Sequence, residues 1–297
     1  MLANLPSGLA LTIRGLTGKD GRYLSNEKLV RDEEIEDYVF SHTLVEVVDE
    51  GPYSFEGKAV DWGKVLIGDR THLALAIREA TYPDEPYVVP LRCVNKMCRK
   101  PFEWEVDIAR MLRDRTQHLS DAARETLKGD GRFEFEFPST VPPRPKDLPK
   151  EVAGPRGRLA YFKLKTGADA KRYNALREHM KSSASKKRRE EQNDLVDGFL
   201  FFGMEIAGIE KKDREGRQAF LEGLPMRDIN ALRNTIDATD CGVDTTIEVE
   251  CPSCEVGWEI ELPFGRELFA PSDPNRRAKR ERRIQTDARG AADVEEK

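Results

Sequence analysis

The chain has 297 residues, 38% hydrophobic and 35% charged, with a formal net charge of −5. No apolar run approaches the roughly 18 residues of a membrane-spanning helix, so no membrane partner is expected. The acidic balance argues against a general nucleic-acid binder, which needs an excess of cations on its surface.

Taken from the start, Met1–Pro6 lacks the basic opening and apolar core of a secretory leader. Leu9–Ile13 alternates like a strand and runs into Thr17-Gly18-Lys19-Asp20, a turn that opens a helix with Asp20 as its cap. Gly68-Asp69-Arg70 opens another helix. Leu73 and Ile77 follow Asp69 by four and eight residues, on one helical face behind an Asp69 cap. Val89–Arg92 and Phe102–Ile108 read as two strands around a turn that carries Cys93 and Cys98.

Arg132–Phe137 alternates strictly and predicts a strand. The stretch near 138–157 holds Pro138, Pro142, Pro143, Pro145, Pro149 and Pro155, which reads as a stiff linker or a long hairpin loop. Pairing of that strand with Arg158–Lys165 would make the loop an exposed arm. Leu159–Lys165 then leads to Thr166-Gly167-Ala168-Asp169, the same turn as Thr17–Asp20, with Asp169 as cap. Lys181–Gln192 is a Ser/Lys/Arg insertion, and Leu195, Phe199, Phe202 and Ile206 form a helical stripe expected in the core. Asp228 caps the next expected helix, with Leu232 and Ile236 again at offsets of four and eight. Thr246–Glu250 and Gly257–Leu262 flank Cys251 and Cys254 as strands. The segment 271–297, with its basic run Arg276–Arg283, has the composition of a chain that does not fold alone.

The order strand, capped helices, strand, cysteine turn, strand therefore occurs twice, over about 8–110 and 158–265. This predicts an α+β fold of two pseudo-repeats with extended polar arms. The first repeat spans 1–128, the second 129–270, and the charged tail 271–297. Each cysteine turn supplies only two ligands. Together, Cys93, Cys98, Cys251 and Cys254 would place four thiolates around a structural Zn2+, a zinc-ribbon-like clamp between the repeats. Disulfides within each turn are the alternative. Cys93 and Cys98 enclose four residues, whereas Cys251 and Cys254 enclose two, the commoner spacing.

The other candidate ligands are scattered. Cys241 has no partner at knuckle spacing and reads as a plain thiol, and His42, His72, His118 and His179 show no ligand spacing. Trp104 and Trp258 hold matching places after the two turns and read as apolar cover for the metal site. A four-thiolate shell leaves no open position for a substrate, and no phosphate loop, nucleophile elbow or His-Glu metalloprotease motif is present. No enzyme and no small-molecule substrate are expected. Zinc ribbons often touch nucleic acid, but Glu103, Glu105, Asp107, Glu248, Glu250, Glu255, Glu259 and Glu261 surround these turns. That sign repels phosphate, and Lys96, Arg99 and Lys100 offset it only at the first turn.

Leu5-Pro6-Ser7-Gly8-Leu9, Gly68-Asp69-Arg70, Arg78-Glu79-Ala80-Thr81-Tyr82, Asp228–Arg233, Gly242–Cys254 and Leu262–Gly265, in this order, resemble the baseplate-protein family of T-even-type contractile-tailed bacteriophages. The resemblance covers roughly 5–110 and 225–270. The proline-rich linker, the basic insertion and the tail fall outside it, and the four-residue spacing at Cys93 departs from the family's commoner knuckle. The resemblance implies a hub or wedge component, or a hub-assembly factor, with other baseplate or tail proteins as partners. It implies no catalytic residues, synthesis in the host cytoplasm and residence in the virion. Two alternatives stand beside it: a factor that builds the baseplate and leaves, and a zinc-ribbon regulator that binds nucleic acid through the basic insertion and tail.

Overall fold

The computed structural model describes residues 1–24, 35–55, 57, 59–83, 85–138, 159–183 and 194–269. Most of the proline-rich linker and of the basic insertion, and the whole charged tail, lie outside the described residues.

Helices and strands are mixed. Strands β1 (Leu2–Asn4), β2 (Ala10–Ile13) and β3 (Leu44–Asp49) form an antiparallel sheet in the order β1-β2-β3, with helices α1 (Gly18–Leu24) and α2 (Ile35–Thr43) between β2 and β3. Alternation explains its packing: Leu11 and Ile13 point into the core, while Ala10 and Thr12 are half-buried. Helix α3 (Ile67–Thr81) follows, and ten of its fifteen residues are buried, including Leu73 and Ile77. The antiparallel hairpin β4 (Tyr87–Arg92) and β5 (Pro101–Val106) comes next. Helix α4 (Ile108–Asp114), strand β6 (Thr116–Gln117) and helix α5 (Asp121–Lys128) complete this part.

The chain then forms a second three-stranded sheet, β7-β8-β9, from β7 (Phe133–Glu136), β8 (Leu159–Phe162) and β9 (Glu205–Ile206), with helices α6 (Gly167–Ser183) and α7 (Asp194–Phe201) between β8 and β9. β7 pairs antiparallel with β8 from Phe133↔Phe162 to Glu136↔Leu159. Helices α8 (Arg214–Glu222) and α9 (Met226–Thr239), strand β10 (Gly242–Val243), the hairpin β11 (Thr246–Glu250) and β12 (Gly257–Glu261), and helix α10 (Arg266–Phe269) end the described chain. β10 pairs with β6, 125 residues earlier at Gly242↔Gln117, which sews the two parts together. Among the described residues no helix is long and apolar enough to cross a membrane.

The expected stripe from Leu195 to Ile206 is not one helix. α7 ends at Phe201, because Gly203 takes a φ of +83° and its N–H bonds back to the Leu200 carbonyl. Ile206 instead lies in β9, paired with Ala160, and the buried side chains of α7 include Val196 and Leu200. Phe199 and Phe202 sit at the edge of this core, beside Tyr173 and Lys165, around a 260 Å³ cavity.

Among the described residues the buried apolar side chains form two cores, and each takes residues from both sides of 128. The first takes residues from Ala3 to Met111 together with Ile247, Val249, Leu262, Leu268 and Phe269. The second takes Leu66, Leu119 and Ala123 from the early chain and otherwise runs from Phe133 to Cys241. The second cysteine hairpin thus completes the core of the first part of the chain.

Candidate metal centre

Each cysteine turn closes a strand hairpin through its own backbone. Cys93 N–H donates to the Lys100 carbonyl at 3.0 Å, and Cys251 N–H donates to the Val256 carbonyl at 3.0 Å. The residue after the second cysteine turns left-handed in both: Arg99 has φ 47° and Glu255 has φ 58°. The two knuckles therefore end alike although one is two residues longer. The extra length is absorbed by Asn95, whose side-chain oxygen accepts from Met97 N–H at 3.0 Å. Its amide also points a hydrogen at Cys254 Sγ, 3.8 Å away.

The two hairpins meet at their cysteines. Cys93 Sγ lies 3.5 Å from Cys254 Sγ, and Cys98 Sγ lies 3.8 Å from Cys251 Sγ. All four sulfurs fall within 4.8 Å of one another. Thiolates held about 2.3 Å from one tetrahedral ion stand roughly 3.8 Å apart, so the set fits a closed four-sulfur metal site. It does not fit disulfides, whose sulfurs are bonded at about 2.05 Å; all five cysteines are free, and both close contacts join different knuckles. Cys93 and Cys251 are buried, and Cys98 and Cys254 are half-buried. Burial and its sulfur neighbours push the Cys93 thiol up to about 12. Burial also opposes ionisation of Cys251, but the backbone N–H groups of Ser253 and Cys254 bring it down to about 7. A cation among the sulfurs would ionise the rest, as metal binding releases thiol protons.

Trp104 and Trp258 are partly buried against the first core, and Trp258 meets Phe102 edge-on at 5.8 Å. Cys241 is a buried thiol of the second core, pushed up by burial, and lies outside the cluster. His72 is also buried, and desolvation, with the nearby His118 as a lesser cause, brings it down to about 4, so it is neutral.

The four aspartates divide into two kinds. Asp20 accepts from the backbone N–H and the hydroxyl of Thr17, at 2.8 and 2.7 Å, at the start of α1. Asp169 does the same with Thr166, at 3.3 and 2.7 Å, at the start of α6. In both, the carboxylate at the third helical position reaches back to the residue before the helix, one half of a capping box.

Asp69 and Asp228 do not cap their helices, contrary to the sequence expectation. Each sits at the third position of its helix, fully buried, and no hydrogen bond runs from a helix-end N–H to its carboxylate among the described residues. Asp69 accepts from Ser7 N–H at 2.9 Å, from the Ser7 hydroxyl at 2.5 Å and from the Tyr53 hydroxyl at 2.6 Å. Burial raises its pKa, and these donors work against that rise. Asp228 has no hydrogen-bond partner for either carboxylate oxygen among the described residues, and Arg227 Nε stands 3.7 Å away. The local pattern of Asp followed by leucine and isoleucine at helical spacing was legible, but the donors to Asp69 come from distant residues.

The neighbours of Asp69 explain the rest of Gly68-Asp69-Arg70. A Cβ on Gly68 would stand 1.7 Å from the Cys241 carbonyl oxygen, so only glycine lets α3 lie against the strand that carries Gly242. Arg70, almost fully buried, reaches Glu36 at 2.6 Å, Asp37 at 2.7 Å and the Trp62 carbonyl at 2.9 Å. Sequence reasoning missed Tyr53 and the Gly68–Gly242 approach, for which no local pattern gives a signal. Asn95, a polar residue inside a cysteine turn, carried one.

The fold and these sulfurs define a mixed α/β protein with a four-cysteine cluster able to bind a metal ion. No protein-family model, no curated protein sequence and no solved structure matches the chain.

Proposed function

We propose that this chain is a non-enzymatic structural subunit of a contractile phage-tail baseplate, its two related halves stapled by one zinc ion. The observation that carries the reading is the meeting of Cys93 and Cys98 with Cys251 and Cys254, more than 150 residues later in the chain. A shell of four thiolates suits Zn2+ or an iron–sulfur centre, and a single tetrahedral site favours zinc. When bound, the ion fixes the angle between the hairpins. Cys251 and Cys254 hold the second hairpin against the first core, and Asn95 orients the Cys254 sulfur.

Descent of both halves from one duplicated unit is part of the proposal. It is supported by the paired capping boxes at Thr17–Asp20 and Thr166–Asp169, and by the left-handed residue after each knuckle. Among the described residues, two three-stranded sheets, each with helices between its second and third strands, support it too. The baseplate assignment rests on the ordered motifs that resemble that family. In this reading the polar segments near 138–157, 181–192 and 271–297 reach neighbouring tail proteins, and their ordering entropy is offset only on assembly.

Quantitative mass spectrometry of purified, salt-washed tails tests the assignment. A fixed small-integer ratio of this chain to known tail proteins is the expected result. Presence in lysate but absence from finished particles would transfer the reading to an assembly factor, and absence from both would end it.

A further inference from the structure

The clamp carries two adjacent surfaces of opposite character. At the tip of the first knuckle, Met97 is 94% exposed and Val94 56% exposed. Lys96, Arg99 and Lys100 are exposed beside them. Large apolar side chains this far into water, ringed by charge, mark a contact surface. Farther down, Trp104 of β5 and Trp258 of β12 wall a 390 Å³ cleft together with Val249, Glu248, Glu250 and Glu259. Strand register sets Glu248 directly opposite Glu259, a like-charge pair that destabilises a hairpin standing alone. None of these three carboxylates has a cationic partner among the described residues. The cleft forms where the two cysteine hairpins meet over the first core.

We infer that the tip and the cleft meet between two copies of this chain, each first knuckle entering the tryptophan cleft of its partner about a twofold axis. Charge complementarity selects the occupant: three cations on the tip face three carboxylates on the cleft. Chemistry matches as well, since a lysine or arginine is attracted to a tryptophan face and methionine sulfur to a ring edge. The tip cannot fill its own cleft. The ladder from Arg92↔Pro101 to Tyr87↔Val106 is continuous and holds the tip pointing away from Trp104. Two complementary patches side by side on one molecule satisfy each other twice in a twofold pair, where residue i meets j and j meets i. The inference rests on the closed clamp of the proposed function but not on the baseplate assignment.

Sedimentation equilibrium of the full chain, with metal content measured on every sample, provides the test. The wild type is expected to dimerise at low ionic strength and to weaken as salt rises, since rim charges are screened over about 10 Å at 0.1 M. Lys96→Glu with Lys100→Glu reverses the tip; Glu248→Lys with Glu259→Lys reverses the cleft. Each double variant alone is expected to self-associate at least about a hundredfold more weakly, because like charges then meet. Mixing the two is expected to restore a dimer, because each tip again faces a cleft of opposite charge. The inference is overturned by a wild type that stays monomeric at about 100 µM, far above the Kd of a specific dimer. It is equally overturned by variants that dimerise like the wild type, or by a mixture that stays monomeric. Loss of metal in a variant would indicate failure of the clamp rather than of the surface. Met97→Asp, at a side chain pointing into solvent, then takes its place and is expected to weaken the dimer with the metal retained.

Discussion

Helices α3 and α9 begin with the same pattern, an aspartate at the third position followed by leucine and isoleucine at offsets of four and eight, yet the two aspartates live differently. Asp69 gathers three donors from Ser7 and Tyr53, 62 and 16 residues away. Asp228 is as deeply buried and has no donor among the described residues. The residue before each aspartate differs in the same sense. Gly68 is pressed against the Cys241 carbonyl, whereas Arg227 reaches solvent. A helical register therefore fixes where a side chain points, while its energetic role depends on what the rest of the chain delivers to that place. In the first part, one helix N-terminus ties together the Ser7 turn, the Tyr53 loop, α2 and β10. In the second, the same register supports mainly apolar packing by Leu232 and Ile236.

The largest effect is expected at the cysteines, where the two parts are most alike. Cys98→Ser and Cys251→Ser should each abolish stoichiometric metal and lower stability by on the order of 4 kcal/mol or more, measured by thermal unfolding with metal analysis. If Cys98→Ser keeps both metal and stability while Cys251→Ser loses them, the longer knuckle is not a ligand pair.

Next come the helix entries. Gly68→Ala should cost about 3 kcal/mol, the upper range for overpacking, since its Cβ meets backbone that cannot swing aside. Arg227→Ala, at the matching position, overpacks nothing and loses a long, largely exposed approach to Asp228, so about 1 kcal/mol or less is expected. Equal losses would show that α3 and α9 are docked equally tightly.

The aspartates themselves separate by magnitude. Asp69→Asn keeps one acceptor oxygen and turns an amide toward a donor, so a loss of about 1–3 kcal/mol is expected in chemical denaturation. Asp228→Asn takes no acceptor from any described hydrogen-bond donor and leaves only the 3.7 Å approach of Arg227 to lose, so its effect should be smaller than that at Asp69, within about 1 kcal/mol. A loss at Asp228 as large as at Asp69 would place a donor on Asp228.

The smallest effect is a pH dependence at the capping box of α1. Burial opposes the charge of Asp20, but Arg14 and Thr17 outweigh it and hold its pKa at about 2, against an ordinary value of 3.8. A lowered carboxylate stabilises fully above its unfolded value and loses that contribution as pH falls through the folded one. The stability gap between wild type and Asp20→Asn, about 1 kcal/mol for a cap, should be constant above about pH 4 and close as pH approaches 2. A gap unchanged down to pH 2 would mean that the Asp20 charge contributes nothing.

Sequence alone was enough to predict the strands on either side of each cysteine turn, the pairing of β7 with the strand at 159–162, the mixed helix–strand class and the four cysteines as one set. These are local or periodic: alternation reports a half-buried strand, spacing reports a helical face, and a thiol pair on a hairpin turn cannot complete a metal shell by itself. Tertiary structure decided what the sequence had no means to encode locally. It turned Asp69 from a cap into a junction, because Ser7 and Tyr53 arrive from other elements. It broke the Leu195–Ile206 stripe at Gly203, because β8 offered Ile206 a strand partner. It also sent the second cysteine hairpin into the first apolar core, because Ile247, Val249 and Leu268 bury their surface there. Periodicity names the buried face of an element; only the assembled chain determines which surface covers it.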